Sequence, residues 1–84
     1  MENKLENKML LHSIYNRNTN EEVLKHVSNR ICYLGFDDDY KHMIIRFEKR
    51  GTLKHFEEVE DIKQTDNGLW VVTTRKLWRF DNIF

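Results

Sequence analysis

The chain has no proline, no alanine, one cysteine, three glycines and no surplus of either charge among its 84 residues. Each scarcity excludes something. With Cys32 alone no intramolecular disulfide can form, which fits a reducing, cytoplasmic setting. Gly35, Gly51 and Gly68 fall at expected turns or strand ends, so no glycine-rich loop cradles a phosphate. No apolar stretch approaches the roughly 18 residues of a membrane span. Met9-Leu10-Leu11 is too short for the hydrophobic region of a signal peptide. The missing proline and alanine, set beside abundant Asn, Lys and Ile, suggest an AT-rich coding sequence, which bears on source rather than mechanism.

Fourteen basic side chains balance fourteen acidic ones. A duplex-binding protein carries a basic excess and a DNA mimic an acidic one; neither holds here. The charge is nevertheless uneven. Residues 37–66 hold nine acids against six bases, whereas residues 67–84 hold three bases against one acid. The length implies one domain over residues 1–84, burying only about 60–65% of its extended surface. A core that small supplies a few kcal/mol, so oligomerisation or partner binding would supplement it. Aromatic residues make up 12% of the chain, which argues against disorder.

Asn67-Gly68 precedes a run of β-branched and aromatic residues, Leu69 to Phe80, that contains both tryptophans. This stretch predicts a type I′ hairpin turn between strands at 58–64 and 69–74, with a further strand at 76–81. Leu5, Met9 and His12, with Leu10 and Ile14, recur at helical spacing and predict a helix over 2–16. Thr19 and Glu22 form a capping-box pattern ahead of a second helix over 20–29. Ile31 to Phe36 reads as a short buried strand, Asp37-Asp38-Asp39 as a turn, and Tyr40 to Glu48 as an alternating strand. Residues 53–64 are ambiguous between a helical turn and a strand; the reading favours a loop over 53–57. The expected fold class is α+β, with two N-terminal helices packed on a twisted antiparallel sheet of four to five strands. The expected core is Leu10, Ile14, Val23, Leu24, Val27, Ile31, Leu34, Met43, Ile45, Phe47, Val59, Ile62, Leu69, Val71, Trp78 and Phe80.

No pattern carries catalysis. Asp37, Asp38 and Asp39 lack the alternation, central glycine and terminal glutamate of a calcium loop. His12, His26, His42 and His55 are too scattered for a zinc set, and no metal or other cofactor is expected. Cys32, between Ile31 and Tyr33, reads as a small core residue rather than a nucleophile. Two surfaces remain. Asp37, Asp38, Asp39, Glu57, Glu58, Glu60 and Asp61 form an acidic set suited to a basic groove of a partner protein, or else a solvated edge-protecting charge run. Arg75, Lys76 and Arg79 interleave with Trp70 and Trp78 as in stacking surfaces for single-stranded nucleic acid, and Tyr40, Arg46, Lys49 and Arg50 could extend them. Strand alternation favours aromatics inside and cations outside.

One short domain, AT-biased, cysteine-poor and without catalytic motifs, resembles the small accessory proteins of phages and mobile elements. The resemblance covers the whole chain in style and transfers no residue role. Many such proteins bind a host protein, including inhibitors of CRISPR and other defence systems. With the charge asymmetry and the lack of catalytic motifs, the first expectation is a non-enzymatic protein-binding module that inhibits a host nucleic-acid machine through the acidic surface and nearby aromatics. The alternative is a nucleic-acid-binding regulator using the basic aromatic hairpin. A homodimer holding a small ligand is the third possibility, and no membrane partner is expected.

Overall fold

No helix is present among the described residues, so the α+β expectation is overturned. The computed structural model describes residues 4–83, side chains being described outside 4–8 and 24–29. Seven strands follow one another: β1 (Lys4–Asn16), β2 (Glu22–Asp37), β3 (His42–Phe47), β4 (Thr52–His55), β5 (Val59–Thr65), β6 (Gly68–Thr73) and β7 (Lys76–Asn82). They form one antiparallel sheet in the order β4-β3-β2-β1-β7-β6-β5. The predicted helices over 2–16 and 20–29 are the long strands β1 and β2.

β-Bulges explain the misreading. Leu11 pairs with Phe80 and Ile14 with Trp78, while Ser13 pairs with Arg79, leaving His12 as an extra residue in β1. An inserted residue shifts the inward phase by one. The buried apolar positions therefore run Met9, Leu11, Ile14, which imitates helical spacing. Cys32 is the extra residue where Ile31 pairs with Phe47 and Tyr33 with Arg46; Ile31 and Leu34 are both buried and Cys32 is exposed, against expectation. Val23 is likewise bulged between Glu22 and Leu24 and lies exposed. Leu10 pairs with Asp81 on the outer face, so Met9 and Leu11 take the core places expected of it. Leu24 and Val27 lie outside the described side chains.

The sheet curls into a barrel left open along one seam. In a flat sheet β4 and β7, four strands apart at about 4.8 Å each, would be separated by about 19 Å. The rings of His55 on β4 and Trp78 on β7 are instead 4.7 Å apart. Ile14, Ile31, Leu34, Met43, Ile45, Val71, Trp78 and Phe80 fill the interior, with Phe47, Val59 and Leu69 packed partly against them. The seam lies between β4 and β5, the two ends of the strand order, joined in sequence by residues 56–58.

The hairpin between β5 and β6 is present but shifted. Thr65 pairs with Gly68, so Asp66 and Asn67 form its two-residue loop, and neither has a positive φ. The expected type I′ turn at Asn67-Gly68 is therefore replaced by a loop in which Thr65 Oγ1 accepts from the N–H groups of Asn67 and Gly68, at 3.3 and 3.1 Å. Gly68 is needed for closeness instead: a Cβ there would collide with the carbonyl oxygen of Phe80 and lie 2.9 Å from Asp81 Cα. Gly51 faces open space. Gly68→Ala should therefore cost about 1–3 kcal/mol of stability by urea denaturation, and Gly51→Ala less than about 0.5 kcal/mol.

Candidate functional site

The sequence-remote acidic segments meet at the seam. Asp38, Asp39 and Tyr40 in the loop after β2 hold φ values of 53°, 55° and 67°. Aspartate tolerates this left-handed region, because its short side chain bonds locally; Asp37 Oδ1 accepts the Asp38 N–H at 2.8 Å. For Tyr40 the conformation is strained, and surrounding contacts hold it. Its carbonyl accepts the N–H of Val59, the first residue of β5, at 2.7 Å. Its ring lies 5.6 Å from that of Phe36. His42 meets the ring of Phe56 edge-on at 4.7 Å and lies 4.0 Å from Asp38. The loop after β2 is thereby placed against the link between β4 and β5.

The surface this makes is aromatic as well as acidic. Tyr40 is 54% exposed and Phe56 69% exposed. Asp37, Asp38, Asp39 and Glu58 are exposed close by in sequence. Phe56 is not among the site residues expected from the sequence, because it falls in the stretch 53–57 read as a loop. Tyr40 was grouped with cations, yet it belongs to the acidic loop.

Three other members of the acidic set have partners within the chain. Glu60 pairs with Arg17 at 2.8 Å, and the same guanidinium nitrogen donates to the carbonyls of Thr73 and Thr74. Asp61 accepts the Ile62 N–H at 2.9 Å and lies 3.9 Å from Lys63. Glu57 turns inward. It accepts the Arg75 backbone N–H at 2.8 Å and the Arg75 Nε–H at 3.2 Å, with His55 Nε2 3.5 Å away. Burial alone would push its carboxyl pKa up; the hydrogen bonds from Arg75 and the Thr73 hydroxyl, with the charge of His55, outweigh that and bring it down to about 2. Burial moves the neighbouring His55 the other way from an exposed histidine, below 6.5, against the opposing pull of Glu57.

The basic aromatic set divides. Trp78 is buried, its indole N–H donates to Thr73 Oγ1 at 3.1 Å, and no base could stack on it. Arg75 is tied to Glu57, and Lys76 is half-buried at the start of β7. Trp70 and Arg79 do share the outer face. Trp70 stacks on Tyr15 at 5.9 Å, with the Arg79 guanidinium 5.8 Å from its ring and bound to Asp81 at 2.9 Å. Lys63 pairs across from Trp70, and a shallow depression of about 310 Å³ is lined by Lys63, Trp70, Val72 and Leu77. Tyr15, assigned to a helix from the sequence, is the member that reasoning missed.

Among the described residues no group of three or more His, Cys, Asp or Glu could hold a metal ion. His12, the bulged residue of β1, sits with Nδ1 3.0 Å from Ser13 Oγ, and His26 lies outside the described side chains. No helix among the described residues is long and apolar enough to cross a membrane. No protein family, curated protein or solved structure matches the chain.

The paired shifts make stability acid-sensitive. His55 is favoured neutral in the fold, so its contribution is present above 6.5 and declines as the pH falls below that value. Glu57 is favoured ionised, so its contribution is present above 4.5 and is lost as the pH falls from there toward 2. Urea midpoints measured from pH 7 to pH 2 should fall in both windows. Glu57→Gln should flatten the lower one and cost on the order of 2–3 kcal/mol at pH 7.

Proposed function

We propose that the chain is a non-enzymatic protein-binding module that docks through the seam, with Tyr40 and Phe56 as apolar anchors inside an acidic surround of Asp37, Asp38, Asp39 and Glu58. The observation that carries this reading is the exposure of two large aromatics, 54% and 69%, beside the acidic loop. Exposed aromatics form the energetic centres of protein interfaces, and surrounding charge steers the encounter. Such a surface fits a basic, partly apolar groove, the kind a host nucleic-acid machine presents. In this reading the chain acts as small phage accessory proteins do, by occupying that groove, in CRISPR or another defence system. Glu57, Glu60 and Asp61 support the fold and its edge rather than the contact.

Tagged protein used in a pull-down from bacterial lysate, with nuclease, should retain one stoichiometric protein. Phe56→Ser combined with Asp39→Lys should lose it while circular dichroism stays unchanged. Retention by that double variant would rule the seam out as the contact.

A second reading rests on the outer face. Tyr15 and Trp70 form a stacked pair flanked by Arg79 and Lys63, an arrangement on which single-stranded bases could stack. Tryptophan fluorescence should then be quenched by single-stranded DNA or RNA at low salt, with affinity falling steeply as salt rises. Trp70→Ala should abolish binding; an unchanged fluorescence signal would dismiss this reading.

A further inference from the structure

β5 is an edge strand of unusual openness. Its residues 60–65 are all exposed, and no strand is paired along its outer edge. Ile62 stands across from Val71, which is fully buried, and so lies on the inward face of the sheet. Ile62 is nevertheless 38% exposed, because no strand flanks β5 on the seam side. Its N–H is bonded to the Asp61 carboxylate instead of to a strand. In an antiparallel ladder alternate residues direct their backbone groups to opposite edges. The groups of Ile62 and of its alternate Gln64 therefore face the open edge, while Glu60 is the extra residue of a bulge between Val59 and Asp61.

The sequence of this edge is complementary to itself. A two-fold axis through Ile62, with a second copy of β5 running antiparallel, places Ile62 across from Ile62. It sets Asp61 across from Lys63, Glu60 across from Gln64 and Val59 across from Thr65. Each charged pair and each amide–carboxylate pair is matched, on the same face and at direct cross-strand separation. Within one chain Asp61 and Lys63 are only loosely associated at 3.9 Å. An edge designed solely for protection would carry charge of one sign; here Asp61 and Lys63 bracket an apolar residue with opposite signs. The other edge strand, β4, has only four residues, Thr52 to His55.

We propose that β5 joins two copies of the chain as a symmetric antiparallel strand pair centred on Ile62, making one continuous sheet across the dimer. The contact is isologous, so both edges close and no fibre propagates. Val59 keeps its N–H on Tyr40, so the pairing spans 60–64. Five residues per strand bury less than a standard interface of about 1,600 Å², and the dimer therefore depends on concentration.

Light scattering on the full chain, from micromolar to millimolar, should show the mass rising from monomer toward dimer. Asp61→Lys and Lys63→Asp each place like charges across the axis twice, and each should raise the midpoint roughly tenfold or more. The double variant carrying both changes restores opposite charges and should return the midpoint to near wild type. Both positions are exposed, so circular dichroism should confirm that each variant folds. A mass that stays monomeric at millimolar concentration overturns the proposal and leaves the seam reading standing. So does a dimer indifferent to the single changes, or a double variant that stays as weak as the singles.

Discussion

The pairing of the first strand with the last is the constraint on which everything else depends. β1 lies between β2 and β7, so the hairpins β2-β3-β4 and β5-β6-β7 belong to one sheet only because β1 bridges them. Leu11 opposite Phe80 and Ile14 opposite Trp78 supply the contact, and all four side chains are buried. These residues are more than sixty positions apart in sequence, so closing that loop costs entropy that only the shared core offsets. The C-terminal strand, which might have been an open edge, is consequently interior, and the open edges fall to β4 and β5.

That placement explains why a carboxylate sits under the seam. With β4 and β5 not paired to each other, the barrel wall lacks a backbone ladder there, and side chains and one loop carbonyl bind in its place. Glu57 takes the Arg75 N–H, Arg17 takes the carbonyls of Thr73 and Thr74, and Tyr40 takes the Val59 N–H. A charged acceptor makes a stronger hydrogen bond than a neutral one, which is how one inward glutamate can hold a turn against the cost of its own burial. Removing the acceptor would leave a half-buried N–H without a partner.

The sequence was legible where strands are regular and misleading where they are bulged. β3, β6 and β7 alternate cleanly, and their expected ranges lie within a residue or two of the observed ones. β1 and β2 carry extra residues at His12, Val23 and Cys32, each of which converts a spacing of two into three. A window of helical period cannot distinguish that from an α-turn, and the capping pattern at Thr19 and Glu22 added false support. Thr19 Oγ1 does accept a nearby N–H, that of Glu21, but in the turn between strands rather than at a helix start. The site was legible only as a composition. Glu57 and Glu58 are neighbours with the same side chain in the link between β4 and β5, yet one turns inward and the other stays in solvent. Which of the two falls inside depends on a three-residue link whose geometry is fixed by Tyr40, seventeen positions earlier.

Charge neutrality also takes on a spatial meaning. Glu57, Glu60 and Asp81 are matched by Arg75, Arg17 and Arg79, three guanidiniums contributed by the loop after β1, the turn before β7 and β7 itself. These pairs cancel locally, with their arginine side chains still partly or largely exposed. The acids of the loop after β2 stand apart from that set, beside Tyr40 and Phe56, the most exposed aromatics among the described residues. A molecule neutral in total therefore presents a local negative field where its apolar surface is most open. Fields of that kind act over about 8 Å at physiological salt, far enough to orient an approaching basic surface before the aromatics touch it. Balanced composition argues against a protein that binds by bulk charge, whereas this segregation supports one that recognises a partner at a single place.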